Sequence, residues 1–260
     1  MPGAPAPADD VELAVVPLGA GVLAGFTSRA GGASAGPWAG LNLGSAVGDD
    51  PRVVARNRHA VAQRLGAPLV LATQVHGADV VRVGPGGLDP EVRADALVTT
   101  ATGVALGVYV ADCAPVLLAD PVARVVAAVH AGRPGLVAGV LQAAVAEMVA
   151  LGADPGRTRA AVGPCIAAAS YEVPAAMRDA VAARVPAAAG VTAAGTPAVD
   201  LAAGVVAVLA ACGVGDVHVD GRDTYGDAAL YSHRRSVHER APATGRFAGV
   251  VRLVDPAAAP

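Results

Sequence analysis

The chain has 260 residues and a formal net charge of −3, enough for one large domain or two small ones. Apolar residues make up 54% and aromatics 3%, so a sizeable core has to be built from Ala, Val and Leu. All 19 basic residues are Arg, yet no basic block or aromatic cluster accompanies them, which argues against a dedicated nucleic-acid partner.

Residues 1–12 are rich in Pro and Ala, acidic, and lack the basic n-region of a signal peptide. They read as a disordered tail ahead of a single domain over 13–256. The longest apolar run, 201–214, is about 14 residues, short of the roughly 18 that suggest a membrane span. Three scattered cysteines make no disulfide framework and fit a reducing cytoplasm.

A strand and turn are expected over 15–26, then a polar, glycine-rich loop over 27–34. That loop lacks the Gly-Lys-Ser/Thr ending of a phosphate-cradling P-loop. Asp49 or Asp50, followed by Pro51, caps a helix over 52–65 that stops at Gly66. Strands are expected over 69–75, 104–111 and 125–129, and a further apolar run covers 116–118. Apolar runs of this kind, bounded by Gly, Pro and Asp, are those of strands covered on both faces. The spacing predicts an Ala-rich helix over 136–151 closed by Gly152, a strand over 159–162, and a helix opened by Pro174 and running to 185. A loop over 186–198 leads to Asp200, which caps a helix over 201–212. Strands over 217–219 and from 244 to 253 complete the chain. Strands and helices mix throughout, which places the fold in the α/β or α+β class.

Three reactive side chains sit at the ends of these strands: His76 in Gln74-Val75-His76-Gly77, Cys113 in Ala111-Asp112-Cys113-Ala114-Pro115, and His130 in Val129-His130-Ala131-Gly132. Two imidazoles and a thiolate are a donor mixture suited to Zn²⁺. Three protein ligands leave a fourth position open, the catalytic pattern. Asp112, next to the thiol, is a candidate orienting partner or proton carrier. The competing reading is that Cys113 is a small buried hydrophobe. Cys212, late in an Ala-rich helix, reads as core, His59 as surface, His218 as structural, and His233 and His238 as part of a solvated Arg-rich loop.

The ordered set of motifs resembles the YfiH-like family, also called the polyphenol oxidase or laccase-domain family, whose members are described as purine nucleoside phosphorylases. It comprises Thr27-Ser28-Arg29, Leu41-Asn42-Leu43-Gly44, Asn57-Arg58, the three ligand motifs above, Gly163-Pro164-Cys165-Ile166, Tyr171-Glu172-Val173, Asp200-Leu201, Ser232-His233-Arg234-Arg235 and Thr244-Gly245-Arg246. The resemblance implies an α+β fold, a single four-layer α/β/β/α domain, with zinc on His76, Cys113 and His130. It also implies phosphorolysis of adenosine, guanosine, inosine and methylthioadenosine, with hydrolytic deamination of adenosine. Arg58 and Arg29 are then the expected phosphate cations, with Asn42 a further substrate contact and Asp112 the proton carrier for departing ammonia. No motif speaks to the oligomeric state.

The chain departs from the family pattern in three places, one of them a slightly long loop from Ser236 to Ala243. The usual His-Ala-Gly-Trp-Arg-Gly reads His130-Ala131-Gly132-Arg133-Pro134-Gly135, and Asp223 stands where a cysteine often precedes the Thr near the C-terminus. Three rival readings stand beside this one. A copper-dependent polyphenol oxidase needs more histidines than the six present. A metal-free cysteine hydrolase would use Cys113 or Cys165 as nucleophile and His130 as base. A non-enzymatic binding scaffold would keep only the fold.

Overall fold

In the structure, a computed structural model describing residues 11–89 and 91–254, the segments Ala114–Asp120 and Val125–Ala131 are buried at every position. The reason is a division of faces. Val116, Leu118, Ala127 and Val129 join a core cluster on one side, whereas Leu117, Ala119, Val126 and Ala128 join another on the opposite side. Side chains alternate across a strand, so a run without polar interruptions is what two covered faces require.

The strands are β1 (Leu13–Val15), β2 (Val22–Thr27), β3 (Leu69–Val70), β4 (Val80–Arg82), β5 (Ala96–Thr99), β6 (Ala105–Val110), β7 (Ala114–Asp120), β8 (Val125–Ala131), β9 (Arg159–Val162), β10 (Ala189–Val191), β11 (Pro197–Val199), β12 (Asp216–Val219) and β13 (Phe247–Leu253). The helices are α1 (Pro51–Leu65), α2 (Arg133–Ala138), α3 (Val140–Ala150), α4 (Ala175–Ala182), α5 (Leu201–Ala211) and α6 (His233–His238). One sheet has the order β1-β2-β13-β6-β3, the other β12-β9-β7-β8-β5-β4, and β10 and β11 form a separate hairpin.

Three clusters define four layers. Ala60, Val61 and Leu65 of α1 pack on Ala105, Ala248 and Val250 of the five-stranded sheet. Phe26, Leu106, Val108 and Val251 of that sheet meet Leu117, Val126 and Ala161 of the six-stranded sheet. The far face of the second sheet carries α2, α3, α4 and α5 through residues such as Leu136, Leu141, Val181 and Val205. The chain is therefore the α/β/β/α sandwich expected.

Several elements follow the sequence closely. Asp50 caps α1 by accepting from the Arg52 amide, Pro51 opens it, and Gly66 closes it at φ 67°. Asp200 caps α5 through the Ala203 amide. Others differ. The helix expected over 136–151 starts at Arg133 and is split at Gly139, whose φ of 94° ends α2 and begins α3. The segment 186–198, expected as loop, contains the hairpin strands β10 and most of β11, paired antiparallel. β4, β5 and α6 were not foreseen. His233 and His238 lie on α6, and His218 is exposed on the sheet-edge strand β12 instead of holding structure. Of the expected N-terminal tail, 1–10 lies outside the described residues, while Val11 is buried beside Leu41 and Leu65. No helix among the described residues is long and apolar enough to cross a membrane.

Candidate metal centre and its cavity

The strand expected over 69–75 ends at Val70, and what replaces it positions the first ligand. The Gln74 side chain donates from Nε2 to the Tyr109 carbonyl and accepts the Tyr109 amide at Oε1, both at 2.9 Å. A side-chain amide thus takes the place of a backbone partner beside β6, and the main chain of 74–77 is released to turn. His76 sits in that turn at φ 60°, a left-handed conformation that non-glycine residues rarely adopt. The fully buried Asp95 carboxylate holds it there. It accepts from the amides of Val75 (3.2 Å), His76 (2.9 Å) and Gly77 (2.7 Å).

Asp95 also accepts from Nδ1 of His130 at 2.7 Å, leaving Nε2 of that ring as its free donor. One carboxylate therefore orients the backbone carrying one imidazole and the ring of the other. Burial opposes ionisation of Asp95, but His130 and the loop amides outweigh it and hold the carboxyl below its ordinary range. Sequence reading missed Asp95. Its one visible sign is an acid set between Ala94 and Ala96 at the mouth of the apolar segment of β5.

Cys113 lies in the tight turn between β6 and β7. Asp112, just before it, is at φ 91°. Its carboxylate accepts from Thr224 Oγ1 and from the Arg234 amide, both at 2.6 Å, and its carbonyl accepts from the Ile166 amide. Such strain persists where the surroundings over-determine the conformation, and it concentrates at functional sites.

The three side chains meet. The candidate ligand atoms of His76, Cys113 and His130 all lie within 4.8 Å of one another, the only such group of His, Cys, Asp or Glu among the described residues. Cys113 Sγ is 3.8 Å from Nε2 of His76, and the two imidazole rings cross edge to face at 4.7 Å. A Cβ on Gly132 would come within 2.8 Å of Cys113 Sγ and 3.0 Å of His76 Cδ2, so only glycine leaves the space between these donors open. Burial alone would raise the Cys113 thiol. The nearby His130 and His76 reverse that and lower it, while the thiolate and Asp95 raise His130 against its own burial. The result is an ionised sulfur facing two imidazoles, a donor set that suits a borderline-soft divalent ion.

These groups form one end of a cavity of about 650 Å³, a size typical of small-molecule sites. Asp112 borders the cavity, but both of its carboxylate oxygens already accept hydrogen bonds. Arg29, Asn42 and Arg58 do not line it. Arg29 donates to the Ala39 carbonyl and Arg58 to the Leu43 carbonyl and Ser45 Oγ. Asn42 is fully buried between Gly44, Asp49 and the Arg246 amide. All three brace the 39–49 loop, whose Gly44, Ala46 and Val47 form part of the cavity wall. The cations that do line it are Arg133, Arg234 and Arg246, with His233 beside them.

Residues 23–254 match the family described as multi-copper polyphenol oxidoreductase laccase. The chain belongs to that family. Among curated relatives, a purine nucleoside phosphorylase of Streptomyces griseus is 54% identical over 233 residues, covering 88% of this chain and 93% of the relative. Among solved structures, a Neisseria meningitidis family member is 36% identical with a TM-score of 0.83, covering 95% of this chain and 100% of that one. The Bacillus licheniformis protein YfiH is 29% identical with a TM-score of 0.80, covering 89% of this chain and 92% of its own. The laccase-domain fold seen here is therefore shared with the YfiH proteins.

Proposed function

We propose that the chain is a zinc-dependent purine nucleoside phosphorylase that also deaminates adenosine, with 13–256 as the catalytic unit. The observation that carries this reading is the convergence of His76, Cys113 and His130 at the end of a nucleoside-sized cavity. The naming of close relatives as purine nucleoside phosphorylases supports it. An ion on these three residues would supply Lewis acidity, polarising an oxygen of substrate or water.

In phosphorolysis, an oxygen of hydrogenphosphate bonds to C1′ as the C1′–N9 bond breaks. The bonding pair leaves with the purine, and the hydrogenphosphate proton ends on the purine nitrogen. Cavity arginines hold the phosphate. In deamination, the oxygen of water bonds to C6 of adenine, the C6–N6 bond breaks, and a proton from that water passes to the departing nitrogen, which leaves as ammonia. Asp112 stays on the wall as the candidate to move that proton, although its engaged oxygens give it a clearer role in holding Cys113. Arg29, Arg58 and Asn42 act on substrate through the loop they brace. Three cysteines without disulfides fit a reducing cytoplasm.

A second reading has a specific observation in its favour. Asp95, His130 and Cys113 in series have the form of a metal-free thiol triad. Cys165 is no alternative nucleophile, because burial pushes its thiol up to about 12. Such a triad has no use for His76. We therefore expect His76→Ala to lose at least about a hundredfold in phosphate-dependent release of hypoxanthine from inosine, the order typical of a lost catalytic electrostatic contact. Retention of wild-type turnover in that variant would favour the thiol enzyme.

A further inference from the structure

We infer that Arg133 and Arg234, which line the cavity together with Tyr171, form an oxyanion subsite in its wall. Under the proposed function it is where inorganic phosphate sits. Among the described residues Asp112 is the only carboxylate lining the cavity, and both its oxygens accept hydrogen bonds. None of the ion pairs among the described residues includes Arg133, Arg234 or Arg246, so three guanidinium groups face the Asp112 carboxylate and the Cys113 sulfur without a close ion pair.

The three arginines are not equivalent. Arg246 donates from Nη1 to the Thr244 and Gly245 carbonyls. Its stem lies so close to Gly44 that a Cβ there would come within 2.7 Å of Arg246 Cγ. It ties two loops together. Arg234 is aimed instead. Its amide is fixed by Asp112, its Nη1 by the Glu172 carbonyl at 2.8 Å, and its guanidinium lies 5.1 Å over the Tyr171 ring. Among the described residues its Nε and Nη2 donate to nothing else, which leaves one edge of the fork for a ligand. Arg133, the first residue of α2, lines the same cavity as Tyr171 and Arg234. It follows Gly132, where a Cβ would meet Cys113 and His76, so an anion held here is next to the candidate metal centre.

Two guanidinium groups are donors only, in the planar and bidentate form that matches phosphate oxygens, and the phenol O–H adds a third donor. Arg133 stands where the motif given above has Trp. It gives the wall a cation in place of an indole.

The test is steady-state phosphorolysis by the zinc-loaded enzyme with inosine and inorganic phosphate varied in turn. Arg133→Met is expected to raise the KM for phosphate about tenfold or more, the scale of one lost charge-assisted contact, and to move the KM for inosine less than about twofold. Arg133→Lys should recover part of the difference, and Arg234→Met should repeat the split. Equal rises in both KM values, or no change in the phosphate KM, would overturn the subsite. If the wild type shows no phosphorolysis, the function proposed above fails on its own. The subsite is then decided by calorimetric titration of the zinc-loaded protein with phosphate. Binding that is lost in Arg133→Met supports it, and absent or unaltered binding overturns it.

Discussion

Asp95 ties together two of the three residues of the candidate metal centre. It accepts from three amides of the His76 turn and from the His130 ring. Carboxylates that hold a ligating imidazole in this way tune its orientation and basicity. Asp95→Asn keeps the shape but removes the charge and half of the accepting capacity. We expect zinc affinity, measured by competition with a chromophoric chelator, to fall by about 10–100-fold; an unchanged affinity would show that the carboxylate only supports the backbone. His76, Cys113 and His130 were legible in the sequence because each stands at the edge of an apolar segment among small residues. Asp95 was not, since its importance rests on bonds to residues 18–35 positions away. The motifs containing Arg29, Asn42 and Arg58 were equally legible. Their bracing role was not, because it depends on carbonyls of a loop whose path no local pattern gives.

At the scale of elements, legibility followed strength of local signal. α1 has its cap, its Pro and its closing Gly, and the structure reproduces it to within one residue. β7 and β8 are long enough and apolar enough to declare both covered faces. The β10–β11 hairpin is built from Ala, Gly, Val, Thr and Pro, with no alternation to mark it. It depends on its own turn, where the Thr192 and Thr196 hydroxyls lie 2.7 Å apart. Within the segment expected as one Ala-rich helix, Gly139 divides α2 from α3. The end of β7 offers a test of pH dependence. Asp120 is fully buried, which opposes its ionisation, yet the Asp154, Ala123 and Val122 amides and Arg157 hold its carboxyl below the usual range. A depressed folded-state value means that its contribution is complete above the unfolded value of about 3.9 and is lost as pH falls through the folded one. Asp120→Asn should therefore be less stable by on the order of 2 kcal/mol at neutral pH. The gap should narrow on acidification below about pH 4. A gap independent of pH in urea denaturation between pH 7 and 3 would contradict this.

The whole molecule is two sheets back to back, each with its own helical cover, and the cavity opens where strands of both sheets end. β6 and β7 deliver Asp112 and Cys113, β8 delivers His130, and the turn after β3 delivers His76. The layering was expected from the family resemblance; residue alternation alone narrowed the fold only to a mixed class. What no reading of local segments could give is the meeting of ends from two different sheets, which depends on the inter-sheet core around Phe26, Leu117 and Val126. The claim that these ends share one ion is most directly tested by the zinc content of protein purified without added metal, compared between the wild type and Cys113→Ser. The account predicts close to one zinc per chain in the wild type and a small fraction of that in the variant. Equal zinc in both, or none in the wild type, would contradict it.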